Sequence, residues 1–102
     1  MEVARVMEEN LDIVVRKPTD EEKEILLMQP IWGCGAGKFD WLYDDTIVSL
    51  IIDGKADVSY AGKTVSINAG DFVVFPEGLS CIWEVSAPIK KHFVVEMKPE
   101  EK

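Results

Sequence analysis

Short apolar runs separated by turn residues recur along most of the chain. From Phe39 onward, these runs predict strands at residues 47–52, 56–60, 63–67, 72–75, 80–85 and 90–97. The turns between them are marked by Asp53-Gly54, Ala61-Gly62, Ala69-Gly70, Pro76-Glu77-Gly78 and Ala87-Pro88. Strands at a spacing of roughly 8–12 residues, each followed by a turn signal, are typical of an all-β sandwich or barrel.

The N-terminal third of the chain has a different pattern. The β-branched run at residues 11–16 predicts one further strand. Thr19 followed by Glu22 is a capping box, and the acidic first turn favours a short helix through about Leu27. Pro30 ends that element, and glycines 33, 35 and 37 predict an irregular lead-in to the later strands. We therefore predict an N-terminal extension at 1–10, one domain at 11–97 and a polar C-terminal tail at 98–102.

Composition excludes several classes of partner. The 102 residues are 47% hydrophobic and 29% charged, which suits one small globular domain. With 19 acidic and 11 basic residues the net charge is −8, so we expect no nucleic-acid partner and no association with an acidic membrane. No apolar run approaches the roughly 20 residues that span a bilayer. The acidic N-terminus is unlike a signal peptide, and this predicts a cytoplasmic protein with its two cysteines as free thiols.

Two glycine-framed motifs carry the most specific information. Residues 70–81 read Gly-x5-Pro-x-Gly-x2-Cys, which resembles the second motif of the cupin superfamily with Cys81 in place of a metal-binding histidine. In the first motif, Gly-x5-His-x-His-x3–4-Glu-x6-Gly, alignment on Gly54 puts Ile47 at the glutamate. Tyr43 and Trp41 then stand at the two histidines. The usual ligand residue is replaced at all four positions, so the resemblance implies no bound metal and no other cofactor.

Further segments narrow the resemblance. The stretches at 30–32, 39–41, 75–83 and 91–93 make residues 11–97 similar to the small ureidoglycine aminohydrolase-like cupin family. The family implies an all-β cupin (RmlC-like) fold, a double-stranded β-helix or jelly-roll barrel, here with one short N-terminal helix. It also implies that positions 41, 43, 47 and 81 face the barrel lumen. Because the known hydrolase activity of that family depends on metal, the resemblance does not imply that this chain is an enzyme.

Two interpretations of the lumen follow. Its aromatic and alkyl side chains could simply fill a small barrel, or they could form an apolar pocket in which a phenol and a thiol orient a small ligand. The candidate ligand-binding residues are Trp41, Tyr43, Ile47, Cys81, Trp83 and His92. His92 is the only histidine, and alternation along the last strand leaves open whether it faces the lumen and Cys81. A nucleophilic thiol needs a pKa lowered by a nearby imidazole, cation or helix N-terminus, and a Cys81–His92 pair is one way to supply it.

The leading hypothesis is a metal-independent cupin that binds a small molecule or serves a structural role. The alternative is a hydrolase or isomerase that acts on a small nitrogenous metabolite. Apolar side chains within residues 3–7 would gain burial by docking against a sheet edge. They predict a homodimer in which the N-terminal segment takes part.

Overall fold

The computed structural model describes residues 11–96. The predicted extension at 1–10 and tail at 98–102 lie outside the described residues. The described chain contains one helix and seven strands, and its elements in order are β1 (Val14–Arg16), α1 (Asp20–Leu26), β2 (Ile31–Cys34), β3 (Gly37–Leu42), β4 (Ile47–Tyr60), β5 (Lys63–Asn68), β6 (Phe72–Phe75) and β7 (Ser80–Val95).

Two long strands, β4 and β7, hold the barrel together. They pair antiparallel along most of their length, from Ile47–Val95 to Ser59–Ile82. The first half of β4 also pairs with β6, and the second half pairs with β5. In the same way β3 pairs with the early half of β7, and β2 pairs with its later half. All seven strands therefore form one hydrogen-bonded sheet, which bends along the two long strands. Its two halves are called here the first sheet (β1-β6-β4-β7-β2) and the second sheet (β5-β4-β7-β3), and they enclose one apolar interior.

The predicted turns at Asp53-Gly54 and Ala87-Pro88 are wrong, because both lie within continuous strands. The pairing of β4 with β7 shifts register three times between Ile51 and Ala56, which is where the strands pass from one sheet to the other. Gly54 has φ of +98°, and a Cβ there would lie 2.1 Å from the carbonyl oxygen of Pro88. A hairpin turn and a bulged strand corner both call for glycine at positive φ, so the dipeptide alone does not separate them.

The N-terminal elements confirm the capping box and correct the glycine-rich segment. The hydroxyl of Thr19 accepts a hydrogen bond from the amide of Glu22 at 3.1 Å, and the Glu22 carboxylate accepts one from the amide of Thr19 at 2.9 Å. The predicted irregular lead-in is found only at Gly35, because Gly33 lies in β2, where it pairs with Lys90, and Gly37 begins β3. A Cβ on Gly33 would meet the carbonyl oxygen of Ile89 at 3.0 Å, so glycine permits close strand pairing here.

Strand alternation gives the first sheet two apolar faces. The inner face carries Ile51, Val73 and Phe75, which are buried in the barrel interior. The outer face carries Leu50 and Phe72, which pack against Leu26 of α1 in a second cluster. The half-buried side chains that border this outer cluster are Val48, Ile52, Val74 and Val94. The helix therefore covers only part of an apolar outer face.

Within residues 11–96, no helix is both long enough and apolar enough to cross a membrane.

Candidate functional site

An aromatic cavity of about 220 Å³ opens into the barrel interior. Strands β2, β3, β4 and β7 and the segment after β3 all contribute to its lining. The aromatic side chains that line it are Trp32, Phe39, Trp41, Tyr43, Trp83 and Phe93. The remaining lining residues are Leu42, Asp44, Asp45, Ile47 and Lys91. The cavity is therefore largely apolar and carries a few ionisable groups, as is usual for small-molecule sites.

Ring-to-ring contacts hold the cavity wall in place. Trp83 is 1% exposed and stacks on Phe39, with ring centroids 5.9 Å apart and planes 8° from parallel. It also contacts Trp32 at 6.2 Å between centroids and Phe75 at 5.5 Å. Pairs of this kind contribute about 0.5–1.5 kcal/mol each beyond the burial of their area. The wall is thus a packed set of rings centred on Trp83.

Lys91 places a cation against these rings. Trp83, Ile89 and Lys91 lie on the buried face of β7, and Lys91 is only 5% exposed. Its Nζ lies 4.6 Å from the ring centroid of Phe75, 5.1 Å from that of Trp32 and 5.3 Å from that of Trp83. Aromatic faces attract an ammonium group through their negative quadrupole. These rings are the main groups that hold the charge of Lys91.

No carboxylate among the described residues forms an ion pair with Lys91, although three other ion pairs are present. Burial lowers the pKa of the Lys91 amine to about 8, and the ionised forms of the Cys34 and Cys81 thiols would act in the opposite direction. The amine is therefore largely protonated at pH 7 but has a much larger neutral fraction than an exposed lysine. Lys91 was not among the residues predicted from the sequence.

Cys81 lies behind the cavity wall. It is buried opposite Trp41 in the pairing of β3 with β7, and its thiol donates to the carbonyl oxygen of Trp41 at 3.7 Å. Burial raises the pKa of this thiol to about 11, and the Lys91 charge and the Trp83 side chain offset only part of that rise. A protonated thiol is a poor nucleophile.

Tyr43 and Trp83 supply the polar atoms of the wall. Burial raises the pKa of the Tyr43 phenol, and the nearby Cys81 adds to the effect. The phenol therefore stays protonated at neutral pH and can donate a hydrogen bond. The indole Nε1 of Trp83 is buried and makes no hydrogen bond of full geometry among residues 11–96. The Trp83 side chain is nevertheless close enough to the Tyr43 phenol and the Cys81 thiol to offset part of the rise in the pKa of each.

His92 lies on the opposite face of β7 from Cys81 and Lys91. Its Nδ1 is 2.7 Å from the carbonyl oxygen of Gln29, which precedes β2. The Cys81–His92 pair considered from the sequence therefore does not form. Of the six predicted candidates, the structure brings Trp41, Tyr43, Ile47 and Trp83 together around the cavity. Cys81 and His92 are not part of its lining.

The residues at the usual cupin ligand positions do not fit a metal. Trp41, Tyr43 and Ile47 offer no imidazole or carboxylate. The Cys81 thiol donates a hydrogen bond to a backbone carbonyl oxygen. In the part of the chain that the structure describes, no group of three or more His, Cys, Asp or Glu side chains could hold a metal ion. A structural or catalytic transition-metal site needs at least three such protein ligands.

Fold and site together define a mostly β cupin with one short N-terminal helix, as predicted. The family model described as the EutQ-like cupin domain matches residues 22–93. The chain belongs to this family. No functionally curated protein matches it.

Solved structures agree with this assignment. A DUF861-family protein from Thermotoga maritima is 39% identical and has a TM-score of 0.79, with 83% of this chain and 100% of that chain covered. The EutQ protein from Clostridium difficile is 22% identical with a TM-score of 0.60, covering 85% of this chain and 71% of that one. A DUF1255 protein of unknown function from Acidithiobacillus ferrooxidans is 20% identical with a TM-score of 0.58, covering 61% and 60%. The last two share the fold, and the specific role of this cupin is not established by any of them.

Proposed function

We propose that this cupin is a metal-independent binding protein for a small organic molecule that carries a carboxylate or carbonyl oxygen. The observation that supports the proposal is the Lys91 ammonium, which lines the aromatic cavity without a carboxylate partner among the described residues. A buried charge without a partner destabilises a protein. A ligand oxygen that reached Nζ would give this ammonium a hydrogen-bonded partner.

The volume and aromatic lining of the cavity indicate what the apolar part of the ligand can be. A volume of about 220 Å³ holds a short metabolite and excludes a drug-sized one. Aromatic faces on several sides favour an alkyl or planar body, and the protonated Tyr43 phenol offers a second donor. A short monocarboxylate such as butanoate therefore serves as a first probe.

Tryptophan fluorescence reports directly on this cavity, because all three tryptophans of the chain line it. Butanoate should change the emission saturably. Butylammonium tests the alternative that Asp44 and Asp45, which line the same cavity, select a cation instead, and tighter binding of butylammonium than of butanoate would contradict the proposal. Since a hydrogen bond to a charged group contributes about 1.5–3 kcal/mol, Lys91→Met should weaken butanoate binding at least about tenfold. Lys90→Met is the matched control, because Lys90 is exposed on the other face of β7. Equal butanoate affinity in both variants would contradict the proposal.

A finer assignment to the ureidoglycine aminohydrolase-like cupins remains a proposal. It would make the chain a hydrolase or isomerase of a small nitrogenous metabolite, with catalysis rebuilt around residues other than the usual metal ligands. Release of ammonia from ureidoglycine by wild type and by Lys90→Met, with loss in Lys91→Met, would favour that activity over binding alone. A cytoplasmic location likewise stays a prediction.

The predicted homodimer is supported by the partly covered outer face of the first sheet. Val14 and Ile31 on the same face are 44% and 55% exposed. A second copy of the chain would bury this face, and light scattering should then give twice the monomer mass of 11.5 kDa. Ile31→Asp should shift the mass toward the monomer. A monomeric mass for the wild type at tens of micromolar would contradict the dimer, and an unchanged mass after deletion of residues 1–9 would remove the role of the N-terminal segment.

A further inference from the structure

The amine of Lys91 is placed differently from the other candidate nucleophiles of β7. Cys81 is buried behind the cavity wall, and its thiol donates a hydrogen bond to the backbone carbonyl oxygen of Trp41. Lys90 is exposed to solvent on the opposite face of the strand. Lys91 alone of these three both lines the cavity and is shielded from bulk water.

We propose that Lys91 forms an imine with a small aldehyde or ketone bound in the aromatic cavity. This inference rests on the proposed function, because the carbonyl compound must first bind with its oxygen-bearing carbon near Nζ. The lone pair of the neutral amine attacks the carbonyl carbon, a C–N bond forms and the C=O π pair moves to oxygen. Transfer of both amine hydrogens to that oxygen, followed by cleavage of the C–O bond, releases one water and leaves a C=N bond.

The surroundings of Lys91 favour this chemistry in two ways. Imine formation needs the neutral amine, and lysines are activated for it by desolvation in a hydrophobic pocket. With a pKa of about 8, roughly a tenth of the Lys91 side chains are neutral at pH 7, against about one in a few thousand for an exposed lysine.

The aromatic rings around Lys91 favour imine formation in the second way. Protonated imines are cations, and Nζ already lies 4.6–5.3 Å from the ring centroids of Phe75, Trp32 and Trp83. The rings that hold the ammonium would therefore also hold the iminium. In addition, the Tyr43 phenol lines the same cavity and is kept protonated by burial, so it is placed to donate a hydrogen bond to the carbonyl oxygen.

Butanal with sodium cyanoborohydride tests the proposal, because the reagent reduces an imine to a stable butyl-amine. At pH 7 and low butanal concentration, peptide mapping should find one butyl group on Lys91, added at least roughly tenfold faster than on Lys90. Lys91→Met should lose this fast alkylation and Lys90→Met should keep it. In the wild type, butanoate should slow alkylation of Lys91 and leave that of Lys90 unchanged, which keeps the test independent of how well a variant folds.

Equal rates at Lys91 and Lys90, or alkylation of Lys91 that butanoate does not slow, would overturn the imine proposal. The butanoate fluorescence titration separates the two proposals. Saturable butanoate binding without preferential alkylation of Lys91 would overturn the imine and leave the binding function intact. If butanoate also fails to bind, both proposals fail.

Discussion

The barrel interior contains two regions of opposite character, and strands β4 and β7 contribute residues to both. In one region Ile51, Val58, Ile67 and Ile89 are fully buried and fill the space between the sheets. In the other, the rings around Lys91 leave a cavity. Strand alternation alone would fill both regions with aliphatic side chains, and the first region shows that this chain can do so.

The contrast indicates what each region is for. Ile89 and Lys91 are two positions apart on the same face of β7, and both are buried. An aliphatic side chain at 91 would avoid the desolvation of an ammonium, so the lysine lowers the stability of the fold. Departures from good packing are expected where a protein binds or reacts with something. The packed region stabilises the barrel, and the cavity region is the one to which we assign the proposed ligand.

The largest effect is expected at the ring that both regions share. Trp83→Ala should lower the free energy of unfolding by about 3–5 kcal/mol, because the indole is 1% exposed and contacts three other rings. Trp41 is 43% exposed at the cavity, so Trp41→Ala should cost clearly less than that. Urea unfolding of both variants makes the comparison. Equal losses would mean that the cavity wall is packed as tightly as the core.

Replacement of Lys91 should raise the free energy of unfolding, in contrast to replacement of Trp83. Lys91→Met replaces the ammonium by an apolar side chain of similar length, so we expect it to raise the unfolding free energy at pH 7 by about 1–3 kcal/mol. Lys90→Met should stay within about 0.5 kcal/mol of the wild type, because Lys90 is exposed. Destabilisation by Lys91→Met would show that the ammonium is paired with a group that stabilises it.

The same lysine predicts a pH dependence. The pKa of Lys91 is about 8 in the folded chain and near its ordinary value of about 10.4 when unfolded. Between these pH values the unfolded chain binds more protons at Lys91, so this lysine contributes a rise in stability as the pH is raised from about 8 to about 10.5. The buried Cys81 thiol, whose pKa is raised to about 11, contributes a fall over part of the same range, so the contribution of Lys91 is the wild-type curve minus the Lys91→Met curve. Since one pKa unit corresponds to about 1.4 kcal/mol, the rise could reach about 3 kcal/mol. Lys91→Met should lack this rise when unfolding is measured across the same range, and a rise that persists in the variant would assign it to another group.

The smallest effect is expected at Cys81. Cys81→Ala removes a buried thiol that makes one weak hydrogen bond, so it should cost about 1 kcal/mol and leave butanoate binding unchanged. Urea unfolding and the fluorescence titration measure the two quantities. Loss of butanoate binding in a folded Cys81→Ala protein would contradict this prediction and show that the thiol contributes to ligand binding.

Much of the fold could be predicted from local patterns. Turn signals and alternation predict the strands, and Thr19 with Glu22 predicts the start of the helix. What local pattern cannot predict is whether a glycine at positive φ closes a hairpin or bends a continuous strand, since that depends on a distant contact such as Gly54 against Pro88.

The same ambiguity prevents the sequence from predicting Lys91 as a residue of the site. With Ala87-Pro88 read as a turn, alternation leaves the inward face of the later strand undetermined, so it does not predict that Lys91 is buried. In the continuous strand β7, the buried positions Trp83, Val85 and Ile89 lead directly to Lys91 as the next inward residue. The placement of Trp41, Tyr43 and Ile47 at the cavity was available from the motif spacing, whereas the partner of His92 depends on the pairing of β2 with β7.

The most direct measurement is the titration of Lys91 itself, followed by NMR of the lysine Cε–Hε signals in ¹³C-labelled protein. Lys91→Met and Lys90→Met assign the two signals. We predict that Lys91 titrates near pH 8, well below the ordinary lysine value of about 10.4. Saturating butanoate should raise the pKa of Lys91, because an anion in the cavity stabilises the ammonium. Titration of Lys91 at the ordinary lysine value, with no response to butanoate, would contradict the account of the cavity as a binding site built around a buried amine.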